Sequence, residues 1–283
     1  MKKFSFSDLK NKTCIITGGA GVIGETLCMA MASAGINVAI VDLDEKKSKK
    51  LASELREKYK TECIGLVANV LEKESLLEVK KIINKNLGEV DFLINGAGGN
   101  SPKATTQLEQ ILDEDITNLE KSFFGLEIDG FEKVFALNFT GTLLPTIIFA
   151  REMVERKKGV ILNISSMNSY RPLTKIPAYS AAKASINNFT QWLAVHLAKV
   201  GIRVNAIAPG FFLTNQNRFL LTDEKTGKPT PRGNKIIAST PMGKYGDPEH
   251  LQGITLFLLS EMSSFITGVI IPVDGGFSAY GGV

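Results

Sequence analysis

Seven short runs of apolar and β-branched residues recur along this chain, separated mostly by longer stretches with helical periodicity. The runs cover 13–17, 37–42, 63–68, 90–95, a segment beginning at Gly159, 203–208 and 269–273. The helical patterns cover 22–34 (closed by Gly35), 45–60, 72–87, 131–155, 177–200 and 251–259. Strands that alternate with helices are joined by crossovers, which makes them parallel and lays the helices over the sheet. A chain of 283 residues with 44% hydrophobic and 22% charged residues has enough apolar material for such a core. No repeat or low-complexity linker interrupts the pattern. The expected architecture is therefore α/β: one domain over 1–283, built on a doubly wound parallel sheet with helices on both faces.

Two stretches exceed what this scheme needs, 99–130 and 211–245, the latter containing Thr226-Gly-Lys-Pro-Thr-Pro-Arg-Gly233. Both follow strand C-termini, the edge where open α/β sheets bind ligands, and both read as substrate-side insertions. The net charge of +4 is small, and Lys46, Lys47, Lys49 and Lys50 share a helix with Glu45, Glu54 and Glu57. That is a solvated face, not a nucleic-acid footprint. Cys14, Cys28 and Cys63 lack metal-like spacing and read as buried, reduced core residues. With no apolar leader segment and no run expected to span a bilayer, the cytoplasm is the expected location and no membrane partner is expected.

Tyr179 and Lys183 are four residues apart in the helical stretch 177–200, so they share one face a turn apart. An ammonium beside a phenol favours phenolate, so Lys183 is expected to pull the tyrosine pKa down from about 10. A phenol so tuned suits proton exchange with a carbonyl/alcohol couple. Ser166, just past the fifth strand, is positioned to hydrogen-bond the same oxygen. A Tyr-x-x-x-Lys pair alone is common on helix surfaces and establishes little. Gly18, Gly19, Gly21 and Gly24 add a glycine-rich turn between the first strand and first helix. Such a turn lets backbone approach a pyrophosphate while the helix N-terminus offers unpaired N–H groups. Asp42, closing the second strand, can accept from the ribose hydroxyls of NAD and repel the 2′-phosphate of NADP; it can equally cap the next helix.

In combination these residues resemble the short-chain dehydrogenase/reductase family, over nearly the whole chain. The matching segments are Thr17-Gly-Gly-Ala-Gly-Val-Ile-Gly24, Asn95-Gly-Ala-Gly98, Asn138, Ser166 with Tyr179-x-x-x-Lys183, Pro209-Gly210, and Val273-Asp-Gly-Gly276. The resemblance implies a Rossmann-type sheet, NAD(H) as cofactor and no metal. It makes Tyr179 the general acid/base, Ser166 the group that orients the substrate oxygen, and Lys183 the residue that tunes Tyr179 and holds the nicotinamide ribose. Asn138 is then the anchor of a water in the proton relay. Cofactor contacts are implied for Thr17, Gly18, Gly19, Gly21, Val22, Ile23 and Gly24, for Asp42, and for Asn69 and Val70 against the adenine. They are also implied for Asn95, Gly96 and Ala97, for Tyr179 and Lys183, and for Pro209, Gly210, Phe212 and Thr214 near the nicotinamide. The chain departs from the family pattern at Val22, where a glycine is usual, at Asn69, commonly Asp, and at Gly96, commonly Asn.

Segments 95–106, 166–177 and 209–218 resemble the branch of the family that handles sugar acids, interconverting D-mannonate and D-fructuronate with NAD. Such a substrate needs many hydroxyl partners, which Asn100, Ser101, Asn168, Asn215, Gln216 and Asn217 offer. It also needs a fixed cation for its carboxylate, from among Lys103, Arg171, Lys175 and Arg218, with Arg171 and Lys103 leading. A 5-keto-gluconate-type reductase, a 3-oxoacyl-acyl-carrier-protein reductase and a catalytically inactive cofactor sensor stand as alternatives. The resemblance further implies a homotetramer, packed through the two long helices.

Overall fold

Apolar runs without a polar break, such as Thr13-Cys-Ile-Ile-Thr17, suit strands covered on both faces, because alternate side chains must both avoid water. The computed structural model describes residues 5–213, 221–223 and 226–282. Among these residues seven strands form: β1 (Thr13–Thr17), β2 (Asn37–Asp42), β3 (Cys63–Val67), β4 (Phe92–Asn95), β5 (Gly159–Ile164), β6 (Ile202–Pro209) and β7 (Ile270–Val273). They make one sheet in the order β3-β2-β1-β4-β5-β6-β7, every neighbouring pair parallel. Around it lie α1 (Val22–Ser33), α2 (Glu45–Tyr59), α3 (Lys73–Leu87), α4 (Ile128–Phe135), α5 (Gly141–Arg156), α6 (Pro177–Leu197), α7 (Pro231–Ala238) and α8 (Gln252–Leu259). The doubly wound α/β expectation holds.

The pleat sorts the core into two layers. Cys14 and Ile16 of β1 pack with Val38 and Ile40 of β2 and with Leu27, Cys28 and Met31 of α1; Leu258 and Leu259 of α8 join them. Ile15 joins Ala39 and Val41 on the other face, with Val79 and Ile83 of α3, Phe149 of α5 and Leu193 of α6. All three cysteines are free and buried, as expected. Because β1 pairs with β2 on one side and β4 on the other, the winding direction reverses there. That reversal opens a crevice at the carboxyl edge of the sheet.

Helix ends follow local chemistry. The cap of α2 is Asp44, whose carboxylate accepts from the Lys47 amide at 3.0 Å, so Asp42 is not the cap. The single helix expected over 131–155 is instead three pieces: α4, a π turn at Ala136–Thr140, and α5 with Pro145 inside it. Pro145 has no N–H for the Gly141 carbonyl, and the hydroxyls of Thr142 and Thr146 turn back onto the carbonyls of Asn138 and Thr142 at 2.9 and 2.7 Å. The continuous stretch Ile128–Arg156 is long and apolar enough to cross a bilayer, which the sequence reading did not anticipate. Half of its apolar window is buried, with Ile148, Phe149, Ala150 and Met153 against the sheet, so it is a core helix.

Candidate active site

Parallel pairing puts every strand's carboxyl end on one edge, and the residues just past those ends make the site. β5 delivers Ser166 there, and α6, entered through Pro177 at its first turn, carries Tyr179 and Lys183. The three side chains line one cavity of about 200 Å³, with Gly96, Gly98, Gly99, Pro209 and Gly210. Lys183 is buried; its Nζ donates to the Ile164 carbonyl at 2.8 Å and lies 5.6 Å from the centre of the Tyr179 ring. The Ser166 hydroxyl accepts from the Asn168 amide at 3.2 Å.

The electrostatics differ from the sequence expectation. Burial pushes the Tyr179 phenol up, with the Ser166 hydroxyl acting the other way, and burial brings Lys183 down to about 7. An amine removed from water without a carboxylate beside it loses more hydration than one carbonyl returns. A lysine that is half neutral near pH 7 exerts little pull on the phenol.

Asn138 sits in the π turn, fully buried. Its amide nitrogen donates to the carbonyls of Gly99 and Val134 at 2.7 and 2.8 Å, and its oxygen accepts from the Gly99 amide at 3.3 Å. A β-carbon on Gly98 would fall 2.6 Å from Asn138 Oδ1 and 3.2 Å from Lys183 Nζ. The backbone after β4 therefore passes directly over both side chains.

A second cavity, of about 420 Å³, runs from this point toward β2. It shares Ile23, Gly24, Gly96 and Gly98 with the first and adds Gly18, Gly21, Val22, Asp42, Asn69, Val70 and Ala97. Gly18 has φ +64°, and a β-carbon there would meet Ala97 Cα at 2.8 Å. Gly24 lies so close to the turn that a β-carbon would fall 2.2 Å from the Gly18 carbonyl oxygen. Gly21 caps α1 in extended backbone, and the helix starts at Val22, so the displaced glycine leaves the turn closed and the first N–H groups of α1 free for an anion. Asp42 closes the far end, where its carboxylate accepts from the amides of Ala20 and Asp44 at 3.0 and 3.1 Å. A trough with a glycine cradle at its middle and a carboxylate at one end fits a dinucleotide.

Several of the residues expected at the cofactor make contacts within the protein. Thr17 is fully buried, and its hydroxyl accepts from the amides of Gly96 and Ala97 at 3.2 and 3.3 Å, so it ties β1 to β4 beneath the trough. Gly19 is packed under the turn against Ile16 and Ile40. Asn95 is buried between the sheet and α5, its amide donating to Thr146 and to Asn163 at 2.9 and 2.8 Å. Asn69 lines the trough, but its oxygen accepts from the Leu71 amide and its nitrogen donates to Glu72. Phe212 belongs to the core layer of α1 and lines a neighbouring cavity. Thr214, Asn215, Gln216, Asn217 and Arg218 lie outside the described residues.

On the substrate side, Lys103 is exposed and paired with Glu127 at 2.5 Å and Asp129 at 3.7 Å. Arg171 donates to the Tyr280 carbonyl, and Asn100 to the Thr105 hydroxyl at 2.9 Å. Asn168 is buried beside Ser166, its side-chain oxygen without a hydrogen-bond partner among the described residues. The insertions do meet over this edge: Lys235 pairs with Glu109 at 3.0 Å, and the Thr106 amide donates to the Lys175 carbonyl at 2.9 Å. Between them a cavity of about 260 Å³ is lined by Lys175, Arg232, Lys235, Phe211 and Phe277. Sequence reasoning missed Arg232; its one signal was a Thr230-Pro-Arg start that places it in the first turn of a helix.

A family model described as enoyl-(acyl carrier protein) reductase matches residues 18–278. An uncharacterized oxidoreductase of Haemophilus influenzae is 51% identical over 98% of this chain and 96% of its own length. An uncharacterized oxidoreductase of Bacillus subtilis, UxuB, is 47% identical over 98% of each chain. A crystal structure of a Haemophilus influenzae protein with bound NAD, provisionally named a D-mannonate oxidoreductase, superposes with a TM-score of 0.90 at 51% identity. It covers 97% of this chain and 98% of that one.

Proposed function

The chain belongs to the short-chain dehydrogenase/reductase family, and on that premise we propose that this oxidoreductase uses NAD to interconvert a sugar acid and its keto form, D-mannonate and D-fructuronate. The observation that carries the reading is the meeting of Ser166, Tyr179 and Lys183 in a cavity continuous with a trough that ends at Asp42. The similarity to the NAD-bound Haemophilus protein supports both cofactor and substrate class. Asp42 at the trough's end disfavours a 2′-phosphate and so favours NAD over NADP.

Val22, Ile23 and Gly24 offer the amides of the α1 N-terminus to the diphosphate, and Asp42 accepts from the adenosine ribose. The nicotinamide, when bound, gives or takes the hydride at the reacting carbon. Tyr179 donates a proton to the carbonyl oxygen during reduction and receives it during oxidation. Ser166 holds that same oxygen by hydrogen bonding, freeing Tyr179 to move only the proton. Lys183, fixed to the Ile164 carbonyl, steadies the phenol's charge when its own proton is present and offers its ammonium to ribose hydroxyls. Asn138 holds the Gly99 backbone over Lys183 and so shapes the proton's exit. Free, buried cysteines suit a reducing cytoplasm.

The test is NADH oxidation followed at 340 nm with D-fructuronate, 5-keto-D-gluconate and an acetoacetyl thioester, repeated with NADPH. D-fructuronate with NADH is expected to give the highest kcat/KM. Preference for either other substrate leaves the hydride chemistry standing and removes the mannonate assignment.

A further inference from the structure

The two leading candidates for the substrate carboxylate, Lys103 and Arg171, are engaged elsewhere. Lys103 is held by Glu127 and Asp129, and Arg171 is turned to the Tyr280 carbonyl. The cavity between the insertions has three cations, Lys175, Arg232 and Lys235, against one carboxylate, Glu109. Lys235 is neutralised by its pair with Glu109. Lys175 and Arg232 form no hydrogen bond or ion pair through their side chains with any described residue; their charge reaches Glu109 only through space. A cavity with two uncommitted cations and one apolar wall, where Phe211 meets Phe277 edge-on at 5.3 Å, suits an anion carried on a short carbon chain.

This cavity and the reacting cavity are built from the same two segments. Pro209 and Gly210 line the reacting cavity and Phe211 lines the other. Lys175 and Ile176 lie immediately before Pro177, two residues ahead of Tyr179 in the same helix entry. The two cavities therefore adjoin along the chain at Gly210–Phe211, and the Lys175–Ile176 segment leads from the charged cavity into the helix that carries Tyr179. α7, which carries Arg232, is fixed by the Thr230 cap on the Gly233 amide at 3.1 Å and by buried Ile236.

We propose that Arg232, with Lys175, forms the anion subsite that holds the substrate's carboxylate and selects sugar acids over uncharged polyols. The proposal rests on the sugar-acid reading above and names the side chains that would enforce it. The planar guanidinium of Arg232 supplies a two-point fork for a carboxylate, and Lys175 supplies a second charge without fixed direction.

The experiment is isothermal titration of the NADH-bound enzyme with D-gluconate, with D-sorbitol as the uncharged counterpart and inorganic phosphate as a rival anion. It is run on wild type, Arg232→Gln, Arg232→Lys, the Lys175→Gln/Arg232→Gln double variant, and Lys103→Gln. D-gluconate affinity should fall about 10- to 100-fold in Arg232→Gln, the range for losing a hydrogen bond to a charged group, and further in the double variant. Arg232→Lys should recover part of it, while Lys103→Gln should behave as wild type. Equal D-gluconate binding by wild type and the double variant overturns the subsite, as does absence of D-gluconate binding. Phosphate that binds more tightly than D-gluconate in an Arg232-dependent manner overturns the carboxylate assignment. Steady-state kinetics with D-fructuronate separates the two readings. Turnover with a KM indifferent to both substitutions keeps the enzyme's function and removes the subsite. Arg232-dependent D-gluconate binding without turnover of any sugar acid keeps the subsite and removes the redox assignment.

Discussion

Tyr179 and Lys183 were both legible as residues, yet their protonation was not. Spacing placed them on one helix face, but burial of that face sets the sign of both shifts, and burial is a property of the packed sheet. Replacing Tyr179 with Phe should lower kcat by about 10²- to 10⁴-fold, the usual scale for a proton-transfer group, with NADH affinity retained. Fluorescence titration of NADH checks the second half; unchanged turnover removes Tyr179 from the chemistry. Lys183 gives a pH signature in the chain without cofactor. Its pKa falls to about 7 on folding, from about 10.4 in an unfolded chain, so the unfolded state holds the extra proton between those values. The stability that Lys183 contributes therefore rises with pH from about 7 to about 10.4. The buried thiols of Cys14, Cys28 and Cys63, raised by burial, work the other way above about 8.5. The urea midpoint of wild type relative to Lys183→Met should be higher at pH 9.0 than at pH 7.0. A difference between wild type and Lys183→Met that shrinks or stays level as pH rises over this interval contradicts a buried, largely neutral amine.

The elements that shape the site do so through close approach. The turn between β1 and α1 works because Gly24 lets the helix sit against the Gly18 carbonyl. Gly24→Ala would place a methyl 2.2 Å from that oxygen, which is backbone and cannot rotate aside. The substitution should destabilise the fold by about 1–3 kcal/mol, as overpacking commonly does, and weaken NADH binding more than it lowers kcat. Thermal unfolding with and without NADH is the measurement; an unshifted midpoint with full NADH affinity would show the turn yields more easily than its geometry implies. The glycines were readable as a turn, but the role of Thr17 as a tie between strands was not, because its two acceptor contacts come from Gly96 and Ala97, about eighty positions later. The same holds for Asn95, Asn163 and Thr190, which form a buried hydrogen-bonded row across β4, β5 and α6. Polar residues inside apolar runs signal such a row only once the register is known.

At the scale of the whole molecule, α5 and α6 present an apolar surface. Phe139 meets Phe189 edge-on, and Phe189, Trp192 and His196 stack in succession, with centroid separations of 5.9, 6.4 and 4.8 Å. Trp192 is 57% exposed, Val195 81% and Ile147 61%. A face this apolar is unusual on an isolated chain, and we propose that it packs against another copy in the homotetramer that the family resemblance implies. Trp192→Glu should shift the light-scattering mass of a micromolar solution toward smaller species. A wild-type monomer under the same conditions removes the assembly.

The sequence alone determined the alternation of strands and helices, the glycine turn, the carboxylate at the end of β2 and the Ser166–Tyr179–Lys183 set. Each is local, resting on periodicity, backbone conformation or spacing within one element and its neighbours. Only the tertiary structure decided that Lys103 and Arg171 are already engaged, since Glu127, Asp129 and Tyr280 reach them through the fold. It also decided that the helical stretch 128–156 contains a π turn that carries Asn138 under Gly99. Whether a charge is free or paired, and whether a phenol is wet or dry, depends on which distant segments share its space. A linear pattern carries no account of that; a packed sheet with two insertions over its edge does.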